Sequence, residues 1–113
     1  MKKINIVKEN KDFNTIIKDG KSYKNKYFIL NTMENELNHY RFGISISKKT
    51  GNAVTRNLYK RKLRNIIDTN KKLYSKNKDY IIIIRKSCLG VEYKELEKFF
   101  LYLIKNSNLS EEK

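Results

Sequence analysis

The chain has no proline, one cysteine and one histidine in 113 residues, and carboxylates are scarce: 12 Asp and Glu against 26 Lys and Arg. Each shortage excludes something. A lone Cys88 cannot form an internal disulfide, which fits a reducing compartment. One thiol and one imidazole, His39, give no basis for a zinc site or a Cys–His nucleophile. Cys88 reads as a small apolar residue near a strand end, and His39, in the polar stretch NELNHY, as a loop or strand-end residue. No apolar run approaches the roughly 18 residues needed to span a bilayer. The start, MKKINIVKENKDF, is basic but lacks the apolar core and small-residue cleavage site of a signal peptide, so a cytoplasmic, membrane-free protein is expected. No internal repeat or low-complexity stretch divides the chain, and its length suits one domain with one modest core.

What is abundant is positive charge. The formal net charge is +14 and the isoelectric point about 9.9, a balance that points to a polyanionic partner. Its focus is residues 48–64, KKTGNAVTRNLYKRKLR. On a helix, Arg56, Asn57, Lys60, Arg61 and Arg64 fall within one arc of about 140°, while Tyr59, Leu63, Ile66 and Ile67 fall opposite. No carboxylate joins the cationic arc before Asp68. Like charges at i,i+4 destabilise a helix by a few tenths of a kcal/mol, so an arc of this kind implies a partner that neutralises it.

Local patterns predict the surrounding elements. Asn10 as N-cap, Phe13, Ile16 and Ile17 at helical spacing and Gly20 as a stop predict a first helix over 10–19. Residues 27–32 (YFILNT) read as a strand, and 40–47 (YRFGISIS) as a second that alternates. In the latter, Phe42, Ile44 and Ile46 point one way. Gly43, Ser45 and Ser47 point the other, forming a small face that could lie beneath a ligand. The spacing predicts that these two strands pair as an antiparallel hairpin with a longish loop. Thr50-Gly51-Asn52 turns into the basic helix, capped by Asn52 or Thr55 and running to about Leu73. Residues 79–85 (DYIIIIR), with four successive isoleucines, predict a strand buried on both faces and central in its sheet; 41–85 then form a βαβ unit. After Gly90, Tyr93, Leu96, Phe99, Phe100, Leu103 and Ile104 form the stripe of a last helix ending near Lys105, and 106–113 reads as a polar, frayed tail. The order is α-β-β-α-β-α with room for one more short strand: an α+β chain folded as an α/β sandwich.

The motifs of protein-only catalysis are missing: no GxGxxG, P-loop, HExxH or CxxC. A metal-dependent nuclease gathers two or three acids around its ions. Asp68 and Asp79 have no acidic partner in the pattern, and Glu92, Glu95 and Glu97 open the last helix, where the macrodipole favours acids. The residues therefore predict a nucleic-acid-binding domain without its own active site. RNA is favoured over duplex DNA: the basic helix has no helix-turn-helix partner and no dimerisation heptad, and eight Tyr and five Phe offer rings for unpaired bases. The competing readings are a ribosomal or other structural RNA-binding protein and a small nuclease using Asp68 or Asp79.

The segment 48–64 resembles the signature of the bacterial ribonuclease P protein subunit, K-K-x-G-x-A-V-x-R-N-R-x-K-R-x-x-R. It matches at Lys48, Lys49, Gly51, Ala53, Val54, Arg56, Asn57, Lys60, Arg61 and Arg64, and departs at Leu58, where an arginine is usual. Asp12-Phe13, Gly20, Phe28, FGISISKK and DYIIIIRK extend the resemblance along most of the chain. It implies an α/β sandwich like the second domain of a ribosomal protein, with a left-handed βαβ crossover. It implies a ribonucleoprotein that matures the 5′ end of precursor tRNA, whose catalyst is an RNA using Mg²⁺. The implied partners are ribonuclease P RNA and precursor tRNA, with no further protein required. Arg56, Asn57, Lys60, Arg61, Arg64, Lys48 and Lys49 would meet the RNA subunit. A cleft would hold the single-stranded 5′ leader: Phe13 matches its aromatic, Ile17 and Asn31 stand at positions usually aromatic, and the ring of Tyr27 or hydrogen bonding by Asn31 offers a substitute.

Overall fold

The computed structural model of the chain describes residues 1–111, with side chains through Leu109. The elements run α1 (Asn10–Asp19), β1 (Lys21–Lys24), β2 (Phe28–Glu34), β3 (Arg41–Ile46), α2 (Ala53–Thr69), β4 (Lys78–Ile84) and α3 (Tyr93–Glu111). This is the expected α+β order, the additional short strand being β1, directly after the first helix.

The four strands form one sheet in the order β1-β2-β4-β3. The isoleucine-rich strand is central as expected: β4 pairs antiparallel with β2 and parallel with β3, and six of its seven residues are buried. That placement corrects the expected hairpin. β2 and β3 follow each other in sequence but do not pair, because β4 enters between them. A strand apolar on both faces gains most where both faces are covered and both edges paired. The β3–α2–β4 segment is thus the anticipated βαβ unit.

The sheet has two unequal sides. On one, Phe28, Leu30, Phe42, Ile46, Tyr80, Ile82 and Ile84 meet Tyr59, Leu63, Ile66 and Ile67 of α2 and Leu96, Phe100, Leu103 and Ile104 of α3. The rings of Phe42 and Tyr80 stack there at 4.7 Å. Cys88 is fully buried in this core, its thiol donating to the Tyr27 carbonyl at 3.1 Å, and burial pushes its pKa up to about 11. On the other side lies a smaller cluster, Val7, Ile16 and Ile81, with Phe13, Met33 and Ile83 against it. Gly43 admits α1 to this side: a Cβ there would lie 2.7 Å from Ile81 Cδ1 and 2.8 Å from Phe13 Cζ.

Element ends differ in three places. The basic helix, expected to reach about Leu73, ends at Thr69 with Asn70 as its C-cap, and Lys71–Leu73 form a separate 3₁₀ turn. Asn10 is the first helical residue of α1, and Glu9 takes the cap position without a side-chain hydrogen bond. The last helix runs past Lys105 to Glu111, so 106–111 is not a frayed tail. Ser107, fully buried, bonds the Ile104 carbonyl at 2.7 Å, and Asn108 Nδ2 donates to Leu73 O at 3.2 Å. The remainder of the expected tail, 112–113, lies outside the described residues.

Candidate nucleic-acid interface

The basic helix is anchored from beneath and capped at its start. Asn52 accepts from the Thr55 amide at 2.9 Å, which settles the choice of cap. Such a side-chain cap contributes about 1 kcal/mol. Ahead of it, Ser47 accepts from the Lys49 amide and Thr50 is buried, so Lys48 and Lys49 project from a short 3₁₀ turn at the end of β3. Tyr59, Leu63, Ile66 and Ile67 fix the helix to the core. The opposite arc presents Asn57, Arg61 and Arg64 exposed and Arg56 and Lys60 half-buried. Lys62, the remaining cation, is turned elsewhere, its Nζ 4.7 Å from the centre of the Tyr59 ring.

The carboxylates that form ion pairs do so with groups outside this arc. Asp68 receives the N-terminal ammonium at 3.1 Å. Asp79 receives Arg41 in a two-pronged fork, Nε at 2.8 Å and Nη2 at 2.6 Å, plus Asn35 Nδ2 at 2.7 Å; Asp12 takes Arg41 Nη1 at 3.3 Å. The hydrogen bonds to Asp79 hold the Arg41 guanidinium above its ordinary range, with burial opposing them. Among the described residues, no ion pair involves Lys48, Lys49, Arg56, Lys60, Arg61 or Arg64. The cations of the arc therefore stand as fixed positive charge not neutralised by the protein's own ion pairs, with Arg61 and Arg64 exposed. Asp12 and Asp79 converge, but on a guanidinium, and among the described residues no three acids, histidines or cysteines gather as metal ligands.

The second part of the site lies on the α1 side of the sheet. Register places Ser22, Asn31, Ile81 and Gly43 in one cross-strand row and Lys24, Ile29, Ile83 and Ser45 in the next. α1 spans the first row, from Phe13 over Gly43 to Gly20 beside Thr32. The second row is left open: Ile29, Ile83 and Ser45 are half-buried and Lys24 exposed. Phe13 and Ile17 stand one turn apart on α1, Ile17 42% exposed. The result is a shallow strip with an apolar floor, a ring at its border and lysine at its edge. β3 carries this floor from Ser45 directly to Lys48 and Lys49.

Of the four expected cleft residues, Tyr27 lies on the other side of the sheet and Asn31 in the row next to the strip. Tyr27 belongs to the α3 side: its ring lies edge-on to Phe99 at 4.7 Å and its hydroxyl donates to Glu95 Oε2 at 2.7 Å, an acceptor that raises its pKa. Asn31 lies in the row beneath α1, only 3% exposed. Ile29, Ile83 and Lys24, which do border the strip, went unnamed in the sequence reading. Alternation along β2 could have found Ile29, but its partner residues needed the register with β1 and β4.

Fold and surface define a class: a small basic α+β sandwich with a cationic helix at one edge and a half-open sheet face. The comparisons make this specific. The Ribonuclease P family profile matches residues 1–108. The ribonuclease P protein component of Streptococcus pneumoniae (strain Hungary19A-6) is 44% identical over 112 residues, covering 99% of this chain and 91% of that protein. Among solved structures, a Staphylococcus aureus RNase P protein superimposes with a TM-score of 0.84 at 36% identity, covering 91% of this chain and 94% of its own. That of Thermotoga maritima gives 0.82 at 33% identity, covering 88% and 94%. The chain belongs to the ribonuclease P protein family, as the protein component of that ribonucleoprotein.

Proposed function

We propose that this ribonuclease P protein binds the catalytic RNA subunit through the outer arc of α2 and holds the 5′ leader of precursor tRNA along the open strip beside α1. In this way it assists Mg²⁺-dependent removal of the leader in the cytoplasm. The observation that carries the reading is the arc itself: Asn57, Arg61, Arg64, Lys48 and Lys49 are exposed and Arg56 and Lys60 half-buried, and among the described residues none of these cations is in an ion pair. Two RNAs brought to one small protein repel each other, and fixed cations between them replace condensed counterions. The strip supports the leader because an unpaired strand offers bases to Phe13 and Ile17 and phosphates to Lys24, Lys48 and Lys49. The described side chains do not form a cage for Mg²⁺, so this reading gives the ion and the bond cleavage to the RNA.

The test is cleavage of 5′-labelled precursor tRNA at low Mg²⁺ by a bacterial ribonuclease P RNA, with and without the protein. Stimulated cleavage at the mature 5′ end, and none by protein alone, is the expected result. An RNA active at high Mg²⁺ but indifferent to the protein would refute the reading. Cleavage by protein alone would return attention to Asp68 and Asp79.

A further inference from the structure

α3 carries a second basic surface, on the side of the sheet away from the strip. Its buried residues, Leu96, Phe100, Leu103 and Ile104, leave Lys94, Lys98, Tyr102 and Lys105 along the outer face. Tyr102 is 62% exposed. Between this face and the β1–β2 turn lies an open hollow of about 270 Å³, lined by Asn25, Lys98, Phe99 and Tyr102. Lys26 lies against Phe99, one of its lining residues, with its Nζ 5.1 Å from the centre of that ring and 4.9 Å from that of Tyr27.

The hollow is built rather than incidental. Asn25 ties the turn to the helix: its Nδ2 donates to Phe99 O at 3.0 Å, while its Oδ1 accepts from the amides of Tyr27 and Phe28, each at 3.0 Å. Arg85 Nη1 adds a bond to the Asn25 carbonyl at 2.8 Å. The one amide side chain at the hollow is thus engaged with the protein, and what remains to a ligand is ring surface with lysine around it. Glu95 is held by the Tyr27 hydroxyl and Glu97 by Asn70 Nδ2. Among the described residues, Lys26, Lys94, Lys98 and Lys105 form no ion pair. An apolar hollow lined by two rings, with Lys98 in its wall, Lys26 against Phe99 and Lys94 and Lys105 further along the same helix face, suits an aromatic group carried on an anionic chain.

We propose that the hollow between the β1–β2 turn and α3 is a second site for single-stranded nucleic acid. One base stacks on Phe99 and Tyr102, and the flanking phosphates lie on Lys26, Lys98 and Lys105. Recognition is tolerant of sequence, because every base presents a π face and no free hydrogen-bonding side chain reads its edge. Because α3 and the strip occupy opposite sides of the sheet, a segment bound here is distinct from one beside α1. The inference does not depend on the role proposed for the strip.

The test is a backbone-amide NMR titration of the full chain with an unstructured oligoribonucleotide, for wild type, Tyr102→Ala and Lys98→Ala. Wild type is expected to show shifts at Asn25 and Lys98–Tyr102 as well as along the strip. Tyr102→Ala, at an exposed position, weakens binding at α3 by about 5- to 150-fold and leaves the strip unchanged. Lys98→Ala lowers the salt slope of the α3 shifts by about 0.7. Absence of α3 shifts when the strip is saturated overturns the proposal. So do α3 shifts that Tyr102→Ala leaves intact, or that arise from protein concentration alone, which mark contact between copies of the chain. Shifts at α3 without shifts on the strip uphold it and refute the leader-binding reading instead.

Discussion

Arg41→Met removes a guanidinium and keeps most of the stem that carries it. Asp79 would remain 7% exposed at its side chain with the Asn35 amide as its hydrogen-bond partner, having lost bonds of 2.8 and 2.6 Å. Stranding one member of a buried pair costs about 3–5 kcal/mol, chiefly the uncompensated charge. The contact to Asp12, whose side chain is 39% exposed, adds little. Against a total stability of about 5–15 kcal/mol, that is a large fraction, and for a domain of this size it lowers Tm on the order of 15 °C. The assay is urea unfolding followed by circular dichroism, with the m-value checked for constancy. The double variant Arg41→Met/Asp79→Leu should recover most of the loss, since an apolar replacement of a whole buried pair is often neutral. A loss below about 1 kcal/mol in the single variant, or a double variant no better than the single, would refute the reasoning.

Gly43→Ala should cost about 1–3 kcal/mol by forcing Phe13 and Ile81 apart; adding Phe13→Leu should return part of it, and an undiminished midpoint in urea would show that α1 sits more loosely than described. Arg61→Ala or Arg64→Ala should each lower the salt slope of RNA-subunit binding by about 1; an unchanged slope would mean that the side chain is not on phosphate. Phe13→Ala should weaken binding of leader-bearing precursor tRNA by about 1–3 kcal/mol, and an equal loss for a leaderless substrate would discard stacking. Cys88 ionises near 9 when unfolded and near 11 when folded, so its contribution is constant below pH 9. It is lost between pH 9 and 11, as the unfolded chain releases a proton that the folded chain keeps. Over that interval stability should fall more steeply in wild type than in Cys88→Ala, and equal slopes would contradict the burial argument.

The elements most legible in the sequence were those set by local periodicity. The two faces of α2 follow from the 100° step alone, and the double burial of β4 from its unbroken isoleucines. Pairing was not legible. Nothing local in 27–47 says that β4 will enter between β2 and β3, because strand order is decided by which strand gains most from the centre. The site divides the same way. The cationic arc was readable because its residues share one helix. The strip was only partly readable, because a cross-strand row joins residues as distant as Lys24 and Ile83 through register. The side taken by Tyr27 was not readable for a related reason: an aromatic beside a strand can serve either face, and Glu95 and Phe99, far along the chain, draw it towards α3.

The insertion of β4 between two consecutive strands also sets a timetable. A chain made from its N-terminus at roughly 5–20 residues per second can form the β1–β2 hairpin early, but β3 has no strand partner beyond the single bridge from Ile6 to Phe42 until residues 78–84 emerge. Until then the basic helix has no finished sheet to dock on, and its apolar side stays in water. Closing the sheet is thus a late, long-range event, of the slow kind in topological terms. Any nascent ribonuclease P protein of this topology must carry an undocked polycation through the interval, with an abundance of ribosomal RNA close by.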